Sequence, residues 1–353
     1  MVESCGATTL MSWWNSDSDE SSLGERYDES DIRIRPNPKA NKPRTKTRPD
    51  HADAVHGMVT GVDRGRYTVL INEISVTCSR ARELSNNAIV VGDIVNVVGD
   101  VTGVPGSLAR IVRVEPRKTV LRRSADDTDE VERIIVANAD QLLIVIAAAN
   151  PEPRVRLVDR YLVAAFDAGI TPLLVITKCD THDPSEFLAN FEGLNMPIFR
   201  SGTDQVPLEE LQKALAGHTN VAVGHSGVGK STLVNVLVPD AKRATGHVNE
   251  VTGRGRHTSS SSICFKLETQ FGDGWIIDTP GVRSFGLGHV DPKNILGAFP
   301  DLELLAQECP RGCSHRSSAP DCSINEAHRN GELGSNGETR LDSLHRLLET
   351  FSG

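Results

Sequence analysis

The apolar run Asn220-Val221-Ala222-Val223 leads directly into Gly224-His225-Ser226-Gly227-Val228-Gly229-Lys230-Ser231, and the stretch from Ser231 to Val238, closed by Pro239, then reads as a helix. No other feature of the chain restricts its fold so tightly. Four residues lie between the first glycine and the Gly-Lys-Ser triplet, which is the spacing of a phosphate-binding loop. Glycines at these positions let backbone N–H groups curl around phosphate oxygens, and the following helix aims its positive end at the same point. In such a loop Lys230 neutralises the β- and γ-phosphates, the Ser231 hydroxyl binds Mg²⁺, and Thr232 completes the first turn beside the phosphates. A glycine turn could match this spacing by chance, but the strand before it and the helix after it supply the context that the motif requires. Strand, loop and helix in that order belong to a doubly wound α/β sheet, whose ligands bind outside the carboxyl ends of the strands.

The surrounding sequence repeats that grammar. Gln141 to Ala147 is apolar without alternation, as expected of a strand covered on both faces, and Leu157, Val158, Tyr161, Leu162, Ala165 and Phe166 line one helical face before Gly169. Further strands are predicted at 172–176, 197–200 and 274–277. Upstream, the short, partly alternating segments 57–62, 66–71, 74–78, 93–98 and 109–114 are separated by Gly, Asn and Asp. They predict a five-stranded β unit suited to an oligonucleotide-binding (OB-like) barrel, although a barrel used only for packing would read the same way. Residues 1 to about 50 are polar and poor in branched apolar side chains, a composition that predicts disorder. The expected division is a disordered extension over 1–50, a barrel over 51–116, an α/β domain over 117–287 and a helical tail over 288–353.

The carboxyl ends of the predicted strands carry further motifs. Thr177-Lys178-Cys179-Asp180 follows the strand at 172–176. A carboxylate can accept hydrogen bonds from both N1–H and the exocyclic amine of guanine, a donor pair that adenine lacks, so Asp180 selects guanine while the stem of Lys178 lies along the ring. Ser201-Gly202-Thr203 would complete that pocket by backbone contact. Asp278-Thr279-Pro280-Gly281 places a carboxylate near a Mg²⁺-bound water and a backbone N–H, that of Gly281, near the γ-phosphate. The polar loop 253–262 reads as a switch in which Thr258 closes on Mg²⁺ and His257 orients water. A P-loop kinase acting on a small molecule is a rival reading, against which Asp180 speaks.

Composition sets the remaining bounds. At 38% hydrophobic and 24% charged residues the chain is of ordinary globular type, and no apolar run approaches the ~20 residues of a membrane span. With no secretory signal pattern at the start, the chain is expected to be cytoplasmic, without a membrane partner. The net charge of −9 argues against nucleic acid by itself, but its distribution matters more. Acids crowd residues 17–31, whereas 33–48 hold Arg33, Arg35, Lys39, Lys42, Arg44, Lys46 and Arg48 with no acid among them, so this arm is either an RNA contact or a solvated linker. The seven cysteines form no disulfide framework. Cys309, Cys313, His315 and Cys322 instead make a Cys₃His set for one structural Zn²⁺, since four protein ligands leave no open position for catalysis.

The order of the motifs is unusual. Most GTPases place the phosphate loop first and the guanine motif last, whereas here Lys178 and Asp180 precede Gly224, and Asp278 follows both. Over about residues 55 to 350 the sequence resembles the circularly permuted, small ribosomal subunit-dependent GTPases of bacteria, the RsgA/YjeQ family. The resemblance implies binding of GTP and GDP, hydrolysis stimulated by the small subunit, a role in its late maturation with contact to its rRNA, and action as a monomer. It also implies that His257 orients the attacking water, because Val282, standing where many GTPases have Gln, cannot. Thr177 occupies the usual Asn position, a departure expected to loosen the guanine loop while leaving Asp180 in place. The zinc ligands depart by one residue between the first two cysteines and one before the last. A reading of another class keeps barrel, basic arm and zinc tail as an RNA-binding assembly module in which nucleotide turnover is incidental.

Overall fold

Short strands that alternate apolar and polar residues build the first part of the computed structural model, which describes residues 51–84, 88–124, 132–203, 205–239, 241, 262–280, 285–334 and 336–350. The extension over residues 1–50, the switch candidates His257 and Thr258, and Gly281 with Val282 lie outside the described residues. Strands β1 (Val55–Asp63), β2 (Arg66–Ile71), β3 (Ile74–Arg80), β4 (Ile94–Gly99) and β5 (Ala109–Val114) lie in the order β1-β2-β3-β5-β4, and β4 returns to pair with β1. That last pairing closes a small barrel. Val59, Val69, Val76, Val95, Val97 and Ile111 fill its interior, while Arg66 and Thr68 on β2 point outward. Val69 pairs with both Val59 and Val76 across the two ladders, so three strands contribute to one buried layer.

A clamp joins the barrel to the next segment of the chain. The fully buried Asp93 carboxylate receives Arg117 Nε at 2.7 Å and Nη2 at 2.8 Å, and Val90 N also donates to it at 2.8 Å. A two-stranded hairpin comes next, β6 (Val120–Ser124) against β7 (Glu132–Ala137), with only Leu121, Val136 and Ala137 strongly buried among its described residues.

The second sheet layer contains β8 (Gln141–Ala147), β9 (Thr171–Thr177), β10 (Ile198–Arg200), β11 (Thr219–Val223), β12 (Ile263–Leu267) and β13 (Gly274–Asp278), in the order β10-β9-β8-β11-β13-β12. All neighbours are parallel except β12, which runs antiparallel to β13. Every residue of β8 is buried, as its unbroken apolar run requires. Two packed layers flank the sheet. On one side lies α1 (Val155–Asp167), and on the other lie α3 (Leu208–Leu215) and α4 (Lys230–Leu237), with the short α2 (Ser185–Ala189) after β9. If the chain is read from β11 through β13 and then from β8 to β10, the phosphate loop comes first and the guanine loop last. The permuted order of the motifs is thus a matter of where the chain starts within one parallel sheet.

Gly61 of β1 pairs with Ile263 of β12, which joins barrel and parallel sheet into one eleven-stranded sheet. The tail adds α5 (Pro292–Leu296), α6 (Pro300–Ala306), α7 (Ser323–Arg329) and α8 (Gly337–Thr350). Helix α8 buries Leu341, Leu344, Leu347 and Leu348 in the same core as Tyr161 and Leu162 of α1. Among the described residues no helix is long and apolar enough to cross a membrane.

Candidate nucleotide site

The phosphate loop leaves the end of β11, between β8 and β13. Gly224 passes so close to β8 that a Cβ there would collide with the Val145 carbonyl. Gly229 caps α4 in the left-handed region at φ +91°, where an L side chain is strained. Between them Val228 is buried, whereas His225, Ser226 and Gly227 are exposed or partly so, as are Ser231 and Thr232 at the start of α4. His225 Nδ1 stays local, 3.1 Å from the Ser226 carbonyl.

Asp278, at the end of β13, forms an ion pair with Lys230. The buried Thr279 hydroxyl donates to the Ala222 carbonyl on β11 at 2.8 Å and so fixes the turn that presents this carboxylate. Phosphate-loop lysine and acid thus meet although they come from separate strand ends. Ser231 at the start of α4 and Asp278 at the end of β13 are hard oxygen donors, a chemistry that suits Mg²⁺. When bound, that ion draws charge from the β- and γ-phosphate oxygens.

The guanine loop lies against the phosphate loop. The Thr177 hydroxyl donates to the Val228 carbonyl at 2.6 Å. Lys178, at φ +58°, donates from Nζ to the Gly227 carbonyl at 3.0 Å and to that of Asn150. The expected loosening by threonine in place of asparagine is therefore not what the geometry has: the hydroxyl itself ties the two loops. Asp180 Oδ1 accepts from Thr203 N at 3.0 Å and from the Thr203 hydroxyl at 3.3 Å. These hydrogen bonds, the hydroxyl's first, hold the exposed carboxyl below the usual carboxylate range, so it stands ionised and ready to accept. Ser201, 2% exposed, locks the neighbouring loop in place: its N–H donates to the Ile176 carbonyl at 2.8 Å, and its carbonyl accepts from Cys179 N at 3.1 Å. A Cβ added at Gly202 would come 3.5 Å from Asp180, so this glycine faces the carboxylate.

Asn150 and Pro151 escaped the sequence patterns above, although Asn-Pro just past β8 is another strand-end loop of the kind that carries ligands. Pro151 lines a cavity of about 540 Å³ together with Leu157, Arg154, Arg160, His225 and Val228.

The tail forms a separate cluster. Cys309 Sγ lies 3.6 Å from His315 Nδ1 and 3.9 Å from Cys322 Sγ, and Cys322 Sγ lies 3.8 Å from the same nitrogen. With Cys313, all four donor atoms fall within 4.8 Å of one another. A tetrahedral zinc ion with Zn–S of ~2.3 Å and Zn–N of ~2.05 Å separates its sulfurs by about 3.8 Å and sulfur from nitrogen by about 3.6 Å. The donor set fits despite its altered spacing, with left-handed turns at Gly312, His315 and Asp321 bringing the ligands together. Cys78 and Cys264 contrast with it: burial pushes their thiols up to about 11 and about 12, so both stay protonated and inert.

Known proteins repeat these features. The RsgA GTPase family profile matches residues 114–288. The chain is 37% identical over 250 residues to the small ribosomal subunit biogenesis GTPase RsgA 1 of Vibrio vulnificus, covering 68% of this chain and 67% of that protein. It is 34% identical over 281 residues to the RsgA of Actinobacillus pleuropneumoniae, covering 77% and 78%. The crystal structure of YjeQ from Thermotoga maritima superposes with a TM-score of 0.62 at 26% identity, over 85% of this chain and 99% of that one. With relatives at 34–37% identity that are matched over two thirds or more of both chains, the chain belongs to the RsgA GTPase family.

Proposed function

We propose that this GTP hydrolase turns over GTP to GDP and phosphate when it engages the small ribosomal subunit, and that it acts in the late maturation of that subunit. The observation that carries the nucleotide part is the contact of Thr177 and Lys178 with the carbonyls of Val228 and Gly227: a base-selecting loop and a phosphate-binding loop share one site. The ribosomal part is supported by the relatives, which are named for small ribosomal subunit biogenesis.

In this reading Asp180 selects the base, with Ser201 and Gly202 closing its pocket. The amides of the loop from Gly224 to Gly229 and the side chain of Lys230 hold the phosphates, with Thr232 beside them. Ser231 and Thr258 would hold Mg²⁺, Asp278 would fix a water on it, and the Gly281 N–H would meet the γ-phosphate. His257 orients the attacking water, since Val282 offers no polar atom. The Cys₃His set holds one structural zinc ion, and the barrel with the basic arm contacts rRNA. The four-part division of the chain, a monomeric state and a cytoplasmic location complete the proposal. Phosphate release measured with and without purified small subunits tests it: strong stimulation that disappears in His257→Ala is expected. Slow release unaffected by subunits would move the function to the binding-module reading.

A further inference from the structure

We propose that this chain reads guanine only along the edge that carries N1 and the 2-amino group, and leaves N7 unread, because the one proton of the Thr177 hydroxyl is committed to the phosphate loop. The inference rests on the guanine-nucleotide reading of the site. A threonine hydroxyl has a single O–H donor. Thr177 Oγ1 lies 2.6 Å from the Val228 carbonyl and 3.3 Å from the Ile146 carbonyl. Both neighbours are acceptors, so they compete for the same proton and neither can supply another. The residue is buried, so its hydroxyl faces these two carbonyls rather than solvent.

A base docked on Asp180 through N1–H and its amine turns its imidazole ring toward the phosphate loop, because the ribose and phosphates hang from that ring. N7 is a hydrogen-bond acceptor on the same ring, and it meets the Thr177 side of the site. The other side-chain donor there, Lys178 Nζ, spends two of its three N–H groups on the carbonyls of Gly227 and Asn150, which hold it on the phosphate loop and away from the base edge. An asparagine at 177 would carry two N–H donors, one for the Val228 carbonyl and one to spare for N7. Thr177 thus keeps the tether between loops and gives up a base contact, which leaves base choice to Asp180.

Competition against a fluorescent GDP analogue on the full-length protein with Mg²⁺ separates the possibilities, using GDP, 7-deaza-GDP and inosine diphosphate. We expect 7-deaza-GDP to bind within about twofold of GDP, and inosine diphosphate, which lacks the amine facing Asp180, to bind at least ~10-fold more weakly. In Thr177→Asn, GDP should gain about fivefold over 7-deaza-GDP, the size of one neutral hydrogen bond. A wild-type preference for GDP over 7-deaza-GDP of about tenfold, or no separation of the two in Thr177→Asn, would overturn the inference alone. Equal binding of GDP and inosine diphosphate would overturn the base-site reading together with it.

Discussion

Lys230 and Asp278 lie 48 residues apart in sequence and form one ion pair at the phosphate loop. If Lys230 faces the β- and γ-phosphates as proposed, replacing it by methionine should lower GTP turnover by ~10²- to 10³-fold, the scale of losing one oriented electrostatic group. The Asp278 carboxylate would then stand without its partner, and tight nucleotide binding should be lost as well; equilibrium GDP binding checks this. Gly224→Ala should fail differently. Its Cβ would push on the Val145 carbonyl, so β8 and β11 must separate, and a lowered melting temperature should accompany the loss of binding. These residues were legible in the sequence because phosphate chemistry dictates glycine, lysine and hydroxyl at fixed spacing. The Thr177 tether was not legible, because it depends on a carbonyl 51 residues away that no local pattern reveals.

Among the elements, α1 and α8 form the joint that binds the tail to the GTPase sheet. Asp159 of α1, 1% exposed, accepts from Arg346 Nε of α8 at 3.1 Å, and the Arg346 guanidinium also lies 5.3 Å from the Phe191 ring centroid. Burial raises the Asp159 carboxyl to about 6 against the opposing pull of Arg346. The folded chain therefore holds this proton up to a higher pH than the unfolded chain does. This group's contribution to stability accordingly falls as pH rises from about 4 to about 6 and is level above that. Arg346→Ala leaves the carboxylate buried without its cation and should cost about 3 to 5 kcal/mol at about pH 8. The cost should shrink at about pH 5, where the carboxyl is mostly neutral; denaturant unfolding at both values measures it, and an equal cost at both would contradict this account.

Element legibility followed the same physics. The barrel strands and the buried β8 were readable from alternation and from an unbroken apolar run. The β6–β7 hairpin was not, because Arg122, Arg123 and Glu132 interrupt its pattern. Strand β12 follows the polar serine run directly and takes its place from pairing with β13 and β1, partners that only the assembled sheet provides.

At the scale of the whole molecule, the continuous sheet ties the barrel to the nucleotide sheet at Gly61 and Ile263, next to β13, whose end carries Asp278. The Cys₃His set lies between α6 and α7, and on the proposed reading one zinc ion there secures the tail. Elemental analysis should find one zinc per chain, and a chelator that removes it should lower the melting temperature by at least ~5 °C, since structural zinc binding is coupled to folding. Cys322→Ser should reproduce that loss, and a metal-free chain of unchanged stability would rule out a structural ion.

Whether motifs in permuted order assemble one guanine-nucleotide site is decided by calorimetric titration of wild type and Asp180→Asn with GDP, ADP and xanthosine diphosphate. Xanthine carries an oxygen in place of the 2-amino group, so an amide at 180 suits it as the carboxylate suits guanine. The wild type should show one GDP site without competition from ADP, and the variant should reverse its preference toward xanthosine diphosphate. Equal binding of GDP and ADP, or a variant that still prefers GDP, would contradict a single guanine-nucleotide site.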